Sequence, residues 1–307
     1  MKLWVTLSSV FLGLSVTTPQ LGFSQGMSQQ NNASRYDRVK TVIHELAAEY
    51  PAQAKRINLG VSDSGDQILG LRIGTGATQH LLVATHHGNE YGSTEVALAF
   101  ARYATENPLP NTTLFVIPVL NIGGYNINER WERGNDGRTR DPNRDYPGPC
   151  GTEGPYKLKS TKALAQFFEN NNIVAAATLH TFSPAILYPW GMDLVDLSTA
   201  YNQQFIELSQ IAAQFSRYKV GNSTELLYPC NGSFEDFVFW KFGTWSFLFE
   251  LGSSHSPRPD DIQQMIDDNV PGLYSLFQAV PTATAPDHEV RSSCRGRNLQ
   301  FLDRHDE

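Results

Sequence analysis

The sequence predicts an α/β fold: a single domain on a mixed, mostly parallel β-sheet with helices on both faces. Three observations predict it. Short apolar runs recur at 80–85 (HLLVAT), 111–119 (NTTLFVIPV), 173–179 (IVAAATL) and 245–249 (WSFLF), each of strand length. Stretches with helical spacing lie between and around them, the pattern of strands joined by helical crossovers. Polar residues stand where apolar runs end, and ligands in such sheets bind beyond the carboxyl ends of the strands.

The elements follow in order. Residues 36–49 place Val39, Val42, Ile43, Leu46 and Ala47 on one helical face. A Ser-Asp-Ser-Gly-Asp turn at 62–66 precedes a strand at 67–73 (QILGLRI), and Gly74-Thr75-Gly76 closes it. The run at 80–85 is a buried strand, 95–103 a helix and 111–119 a further strand. Residues 121–154 lose apolar periodicity and are rich in Gly, Asn, Arg and Pro. So long a connection within a domain is functional or disordered, and its Arg, Asn and Trp content favours function. A helix at 160–171 leads to the strand 173–179, which runs into His180. Helices follow at 200–216 and 259–279, with the strand 245–249 between them ending at Glu250.

Composition bounds the function. The chain has 307 residues, 40% hydrophobic and 18% charged, which excludes a disordered chain. Its net charge of −7 argues against a nucleic-acid partner, which calls for a basic patch. Lys2 followed by an apolar run to Val16 reads as a signal peptide over 1–24, cut after Ser24 with small Gly22 at −3. The alternative is an uncleaved anchor, for which the run is short. A polar leader is expected at 25–33, the catalytic domain at 34–280 and a polar, mobile tail at 281–307. The protein is then exported, periplasmic or secreted, monomeric, and has no membrane association after cleavage. An oxidising compartment permits one disulfide among Cys150, Cys230 and Cys294, with one thiol left over.

The chemistry gathers at strand ends. His87 and Glu90 form His-x-x-Glu at a strand-to-helix turn, and His180 ends a later strand. Two histidines and a carboxylate suit one catalytic Zn²⁺ with an open fourth position. A lone His-x-x-Glu is more often structural than ligating, so the pattern needs its context. His86, beside it, points the other way along the chain and is not expected to ligate.

That context is five blocks in order: Thr85-His86-His87-Gly88-Asn89-Glu90; Arg133-Gly134-Asn135; Asp141-Pro142-Asn143-Arg144; Leu179-His180-Thr181 with Leu187-Tyr188-Pro189-Trp190-Gly191; and Phe247-Leu248-Phe249-Glu250-Leu251. With these the chain resembles the zinc metallocarboxypeptidases of the carboxypeptidase A/B type over most of 34–280. The resemblance implies zinc ligands at His87, Glu90 and His180, and a catalytic glutamate at Glu250. It implies a grip on the substrate's terminal carboxylate by Asn143 and Arg144, and oxyanion stabilisation by Arg133, with Arg130 the weaker candidate. It also implies a mobile capping tyrosine at Tyr228, and Asp141 hydrogen-bonded to the first zinc histidine. Peptides with a free C-terminal carboxylate are the implied substrates. Counting from Tyr228 to Glu250 places Glu235 on the floor of the pocket for the C-terminal side chain, where an acid favours Lys or Arg. A shifted loop would put Phe234 there instead. A Cys150–Cys230 disulfide is expected because both loops border the implied site.

The departures are local. Asn89 stands where the pancreatic-type enzymes carry Arg, and Thr181-Phe182 replaces Ser-Tyr, so Phe182 lacks a hydroxyl at an outer subsite. Two readings compete within the hydrolases. One is a peptidoglycan peptide carboxypeptidase. The other is an N-acyl-amino-acid deacylase of the desuccinylase/aspartoacylase branch, against which the segment after His180 speaks. A non-enzymatic binding module would have lost Glu250 or a ligand, and all are present.

Overall fold

The computed structural model describes residues 34–152 and 155–291. The expected signal peptide and leader, and the tail beyond 291, lie outside the described residues. The strands are β1 (Ala54–Val61), β2 (Gln67–Ile73), β3 (Thr78–Ala84), β4 (Thr112–Ile117), β5 (Glu132–Arg133), β6 (Thr139–Arg140), β7 (Ile173–His180), β8 (Ala185–Leu187), β9 (Lys219–Gly221) and β10 (Trp245–Glu250). The helices are α1 (Arg35–Glu49), α2 (Tyr91–Glu106), α3 (Ile122–Ile127), α4 (Lys159–Asn170), α5 (Asn202–Ser216), α6 (Ser223–Leu226), α7 (Phe234–Phe242) and α8 (Pro259–Ala279).

The eight-stranded sheet has the order β1-β2-β4-β3-β7-β10-β8-β9, and β5 and β6 form a separate hairpin. The four central strands β4, β3, β7 and β10 run parallel; β1–β2, β2–β4 and β10–β8 are antiparallel pairs, and β9 pairs parallel with β8. All eight residues of β7 are buried, so both faces of the sheet are covered, as parallel sheets require. Ala175, Ala176 and Ala177 keep this strand thin, and α2 and α7 both reach it. One helical set joins α1, α2, α8 and α5. Elsewhere Phe168 of α4 meets Phe234 and Phe242 of α7 at ring distances of 5.7 and 5.6 Å. The edge strand β1 exposes Lys55 and Arg56, charges that discourage pairing with another chain.

The long segment 121–154 is not unstructured. It holds α3, the β5–β6 hairpin and a 3₁₀ turn at Pro142–Arg144. The expected mobile tail also begins as a docked segment. Ala285 is buried, and its N–H donates to Gly243 O at 2.8 Å. Trp245 Nε1 donates to Ala283 O at 3.0 Å, and His288 Nδ1 lies 2.7 Å from Trp240 O.

Three acids converge on the start of α4. Asp145 accepts from the N–H groups of Lys157 and Leu158 at 3.0 and 2.9 Å, and Asp63 from that of Lys159 at 2.6 Å. Negative charge is favourable at a helix N-terminus. The third acid, Glu132, is buried; Ser160 Oγ donates to its Oε2 at 2.5 Å, and its Oε1 has no partner. Burial pushes its carboxyl up to about 8, and the Ser160 hydroxyl offsets only part of that. A raised carboxyl contributes stability that is complete below its unfolded value and is lost as pH rises to the folded one. Stability should therefore decline between about pH 4.5 and about pH 8. Glu132→Gln should remove that decline and raise the melting temperature at pH 8.5 by about 3–6 °C, with the gap to wild type narrowing toward pH 5. Calorimetry across that range checks it; a gap independent of pH would mean that Glu132 is ionised in the fold.

Candidate metal centre and substrate cleft

The site is assembled at the carboxyl ends of β3, β7 and β10. Beyond β3 the chain turns sharply at Thr85, whose hydroxyl lies 2.6 Å from Thr94 Oγ1 and 3.0 Å from Ser93 Oγ. This turn aims His87 and Glu90 inward, and both are buried. Gly88 has backbone on its open side: a Cβ there would lie 2.1 Å from Gly124 C and 2.3 Å from Tyr125 N. Only glycine permits that approach, and through it Gly88 N–H donates to Arg130 O at 3.3 Å.

His87, Glu90 and His180 come together, their donor atoms within 4.8 Å of one another. His87 Nδ1 lies 2.8 Å from Glu90 Oε1, His180 Nδ1 lies 3.0 Å from Glu90 Oε2, and the two Nδ1 atoms are 3.1 Å apart. Asp141 Oδ1 lies 2.8 Å from His87 Nε2. That carboxylate holds the proton on Nε2 and turns the Nδ1 lone pair toward Glu90. Two imidazole nitrogens and a carboxylate then face one point, which a cation satisfies and a neutral contact does not. Two nitrogens and one oxygen are the donor set of a catalytic zinc site, so these residues fit one Zn²⁺. Burial alone would push the Glu90 carboxyl up, but His87 and His180 hold it well below the usual range.

Glu250 is placed by sheet register, paired with His180 across the parallel β10–β7 ladder. Its Oε2 is buried and has no hydrogen-bond partner. Burial, reinforced by the charge of Glu90, pushes its carboxyl well above the usual range.

The 3₁₀ turn brings the next group in. Asp141 caps it by accepting from Asn143 N–H at 2.8 Å. Asn143 Oδ1 accepts from Phe234 N–H at 2.8 Å, which ties this turn to the start of α7 and leaves the amide nitrogen as the free donor. Arg144 Nη1 donates to Asn143 O at 2.7 Å, Nη2 to Cys230 Sγ at 3.2 Å, and the guanidinium lies 5.8 Å from the Tyr228 ring centre. Tyr228 is 46% exposed, so it stands at the rim.

Glu235, at the start of α7, is buried and neither carboxylate oxygen finds a well-directed partner. Burial raises its carboxyl, and Arg144 opposes that rise. Phe234 is also buried, its ring 5.4 Å from that of His86 and 5.7 Å from that of Phe168. Asp236 accepts from Gly191 N–H with both oxygens, at 3.1 and 3.0 Å, and so serves the scaffold.

Two expectations fail. Arg133 is exposed on β5, where Nη1 donates to Gly137 O at 3.3 Å. Arg130 occupies the site instead: Nη2 donates to Asp141 Oδ2 at 2.9 Å and Nη1 lies 3.5 Å from Glu90 Oε1. The reason is the Gly88 contact, which draws the backbone at 130 against the metal-binding turn, whereas 133 has already entered the hairpin. The Cys150–Cys230 disulfide is absent. Cys230 carries a free, buried thiol facing Arg144, and Cys150 is disulfide-bonded elsewhere. Burial raises the Cys230 thiol to about 12.

Two further residues were not singled out for a role by the sequence. His86 points away from the metal centre, as expected, yet stacks on His180 at 5.5 Å with its ring nitrogens near Tyr146 Oη and Thr178 Oγ1, at 2.9 and 3.1 Å. His255, beyond β10, lies 3.3 Å from Thr181 Oγ1 through Nδ1.

Comparison with known proteins agrees with this geometry. The family model described as zinc carboxypeptidase matches residues 39–272. The chain belongs to the zinc carboxypeptidase family. It is similar to carboxypeptidase B of Homo sapiens, 25% identical over 262 residues, covering 71% of this chain and 62% of the relative. It is also similar to carboxypeptidase A4 of Mus musculus, 23% identical over 267 residues, covering 72% and 63%. The match thus spans less than two thirds of the length of these relatives. In three dimensions the structure of bovine thrombin-activatable fibrinolysis inhibitor, solved with tick carboxypeptidase inhibitor, superposes with a TM-score of 0.72. That comparison has 19% identity and covers 78% of this chain and 94% of the other. It establishes the zinc carboxypeptidase fold. No helix among the described residues is long and apolar enough to cross a membrane.

Proposed function

We propose that this family member is an exported zinc carboxypeptidase that hydrolyses the last peptide bond of peptides bearing a free C-terminal carboxylate. One observation carries the reading: the His87–Glu90–His180 trio gathers its donor atoms within 4.8 Å, Glu250 stands in register beside His180, and Arg144 is near enough to act on both Asp141 and Glu250. A zinc ion held by the trio would polarise the scissile carbonyl and lower the pKa of water toward ~7. Arg144 presents a planar fork of donors to the terminal carboxylate, and Asn143 adds its amide nitrogen. That grip selects the chain end, so one residue leaves per event. Glu250 takes the proton of the attacking water and passes it to the leaving amine. Its raised pKa suits both duties, since it must accept a proton and then give it up. Arg130, and not Arg133, directs positive charge at the oxygen where negative charge develops. Asp141 anchors Arg130 and His87 together, so a change there disturbs ligand and oxyanion partner at once. Tyr228, at the rim beside Arg144, covers the bound residue.

Glu235 gives the site its preference. A buried carboxylate without partners is costly, and a cationic side chain entering the pocket supplies the missing partner and its charge. A peptide ending in Lys or Arg is therefore the preferred substrate. Purified protein should contain one zinc per chain, release arginine from a peptide ending in Arg, and lose that release to a chelator until zinc is restored. Glu235→Gln should cut release of Arg at least tenfold more than release of Leu. Chelator-insensitive activity would remove the metal from the mechanism, and an unchanged Arg-to-Leu ratio would remove Glu235 from the pocket. Muropeptides and N-acyl amino acids in the same assay separate the two competing hydrolase readings.

A further inference from the structure

The two metal-binding histidines are not held alike. Asp141 fixes the His87 ring, its Oδ1 lying 2.8 Å from Nε2. The corresponding nitrogen of His180, Nε2, is buried and has no hydrogen-bond partner among the described residues. A ligating imidazole is ordinarily oriented by a hydrogen bond from that second nitrogen. His180 therefore takes the rest of its orientation from packing. His87 meets it edge-on, with ring centres 4.7 Å apart and planes at 66°. His86 lies nearly parallel to it, at 5.5 Å and 17°.

His86 can serve as that surface because it is itself fixed at both nitrogens. Its Nε2 lies 2.9 Å from Tyr146 Oη and its Nδ1 3.1 Å from Thr178 Oγ1. A hydroxyl donates or accepts, so both contacts survive in either tautomer of the ring. His86, Tyr146 and Thr178 are all fully buried. The two hydroxyls come from different parts of the molecule. Thr178 is on β7, two residues before His180. Tyr146 lies two residues past Arg144. Its N–H donates to Gly232 O at 3.2 Å, and its ring stacks on Phe237 of α7, with centres 5.2 Å apart and planes at 18°. One imidazole thus joins the strand of a metal ligand to the segment of the proposed carboxylate grip. Apolar side chains of the same shape could fill this space at little cost, so the buried polar chain calls for a reason other than stability.

We propose that His86 is a positioning residue for peptide hydrolysis: it sets the ring plane of His180 at the metal centre and, through Tyr146, its spacing from Arg144. The first duty concerns the metal alone; the second rests on the carboxypeptidase reading above. They use different atoms. The ring face of His86 serves His180, and its Nε2 serves Tyr146. Removing the Tyr146 hydroxyl cuts the second duty and spares the first, whereas removing the imidazole cuts both. A small displacement of the grip from the metal centre costs rate more than binding, because the scissile bond is then held out of line.

The test measures zinc affinity by chelator competition, the visible spectrum of the cobalt(II)-substituted protein, and kcat and KM for a peptide ending in Arg and for its C-terminal amide. His86→Leu should weaken zinc binding about tenfold, within the range for residues that support a metal ligand, and shift the cobalt spectrum. Its kcat should fall more than its KM changes. His86→Gln keeps a polar link toward Tyr146 but lacks the ring, so it should recover part of kcat while the cobalt spectrum stays shifted. Tyr146→Phe keeps both rings and should leave zinc affinity and spectrum as in wild type. Its kcat on the free-carboxylate peptide should fall about three- to tenfold, the worth of one hydrogen bond, with release from the amide unchanged. If His86→Leu fails to fold, His86→Gln and Tyr146→Phe decide. Wild-type zinc affinity and cobalt spectrum in the His86 variants would overturn the first duty. Unchanged kcat in Tyr146→Phe, or an equal loss on free and amidated peptides, would overturn the second. No release from any peptide by wild type would overturn the carboxypeptidase reading and the second duty with it, while zinc affinity and the cobalt spectrum still decide the first.

Discussion

Glu250→Gln should bind zinc as wild type does and lose turnover by about 10²–10⁴-fold, the range for removal of a general acid–base group. The side chain is set by the β10–β7 register, not by its own charge, so the amide will occupy the same place. It can still hydrogen-bond water. It cannot accept the proton that water must lose, nor return one to the leaving amine. The surroundings sharpen the contrast. Glu250 has a buried oxygen without a partner, and burial raises its carboxyl, which suits a group that must take up a proton. Metal content, kcat and KM measured together check this: zinc and KM should hold while kcat falls. Near-normal turnover would remove Glu250 from the chemistry.

The metal centre was legible in the sequence because its parts are fixed by local rules. His87 and Glu90 share one turn after a buried strand, and His180 and Glu250 are the last residues of two apolar runs, which parallel pairing then makes neighbours. Arg144 was legible for the same reason: it sits in a 3₁₀ turn whose cap, Asp141, is part of the motif. What was not legible depends on contacts between distant backbones. Arg130 and Arg133 differ by three residues, and only the approach of Gly88 to Gly124 and Tyr125 decides which faces the site. Cys230 could pair or not on sequence grounds; its thiol is turned to Arg144. Helix α7 (FEDFVFWKF) carries apolar groups nearly all round, so it has no periodic face to betray it, and β1 is a half-exposed edge with little apolar signal. Residues 281–291 are held largely by backbone and ring-nitrogen hydrogen bonds, which composition does not report.

Arg144→Ala should lower kcat/KM by about 10²–10³-fold for peptides with a free terminal carboxylate, the cost of truncating one partner of a buried, hydrogen-bonded charge pair. The same peptides with a C-terminal amide are slow substrates for wild type, because a neutral end gains little from the guanidinium, and the variant should barely change them. The discrimination between the two ends should therefore collapse. The position of the side chain supports an effect of that size. Nη1 is anchored on Asn143 O and Nη2 donates to Cys230 Sγ, a weak acceptor, so the fork is held in place with no carboxylate among the described residues bonded to it. Burial works against its charge, and the nearby Asp141 carboxylate offsets that cost. A carboxylate entering from the substrate would thus meet a pre-aimed cation without first displacing an ion pair. Arg144→Lys should recover the charge without the fork and restore only part of the discrimination. An equal loss on free and amidated peptides would show that Arg144 supports the fold of the cleft and does not read the chain end.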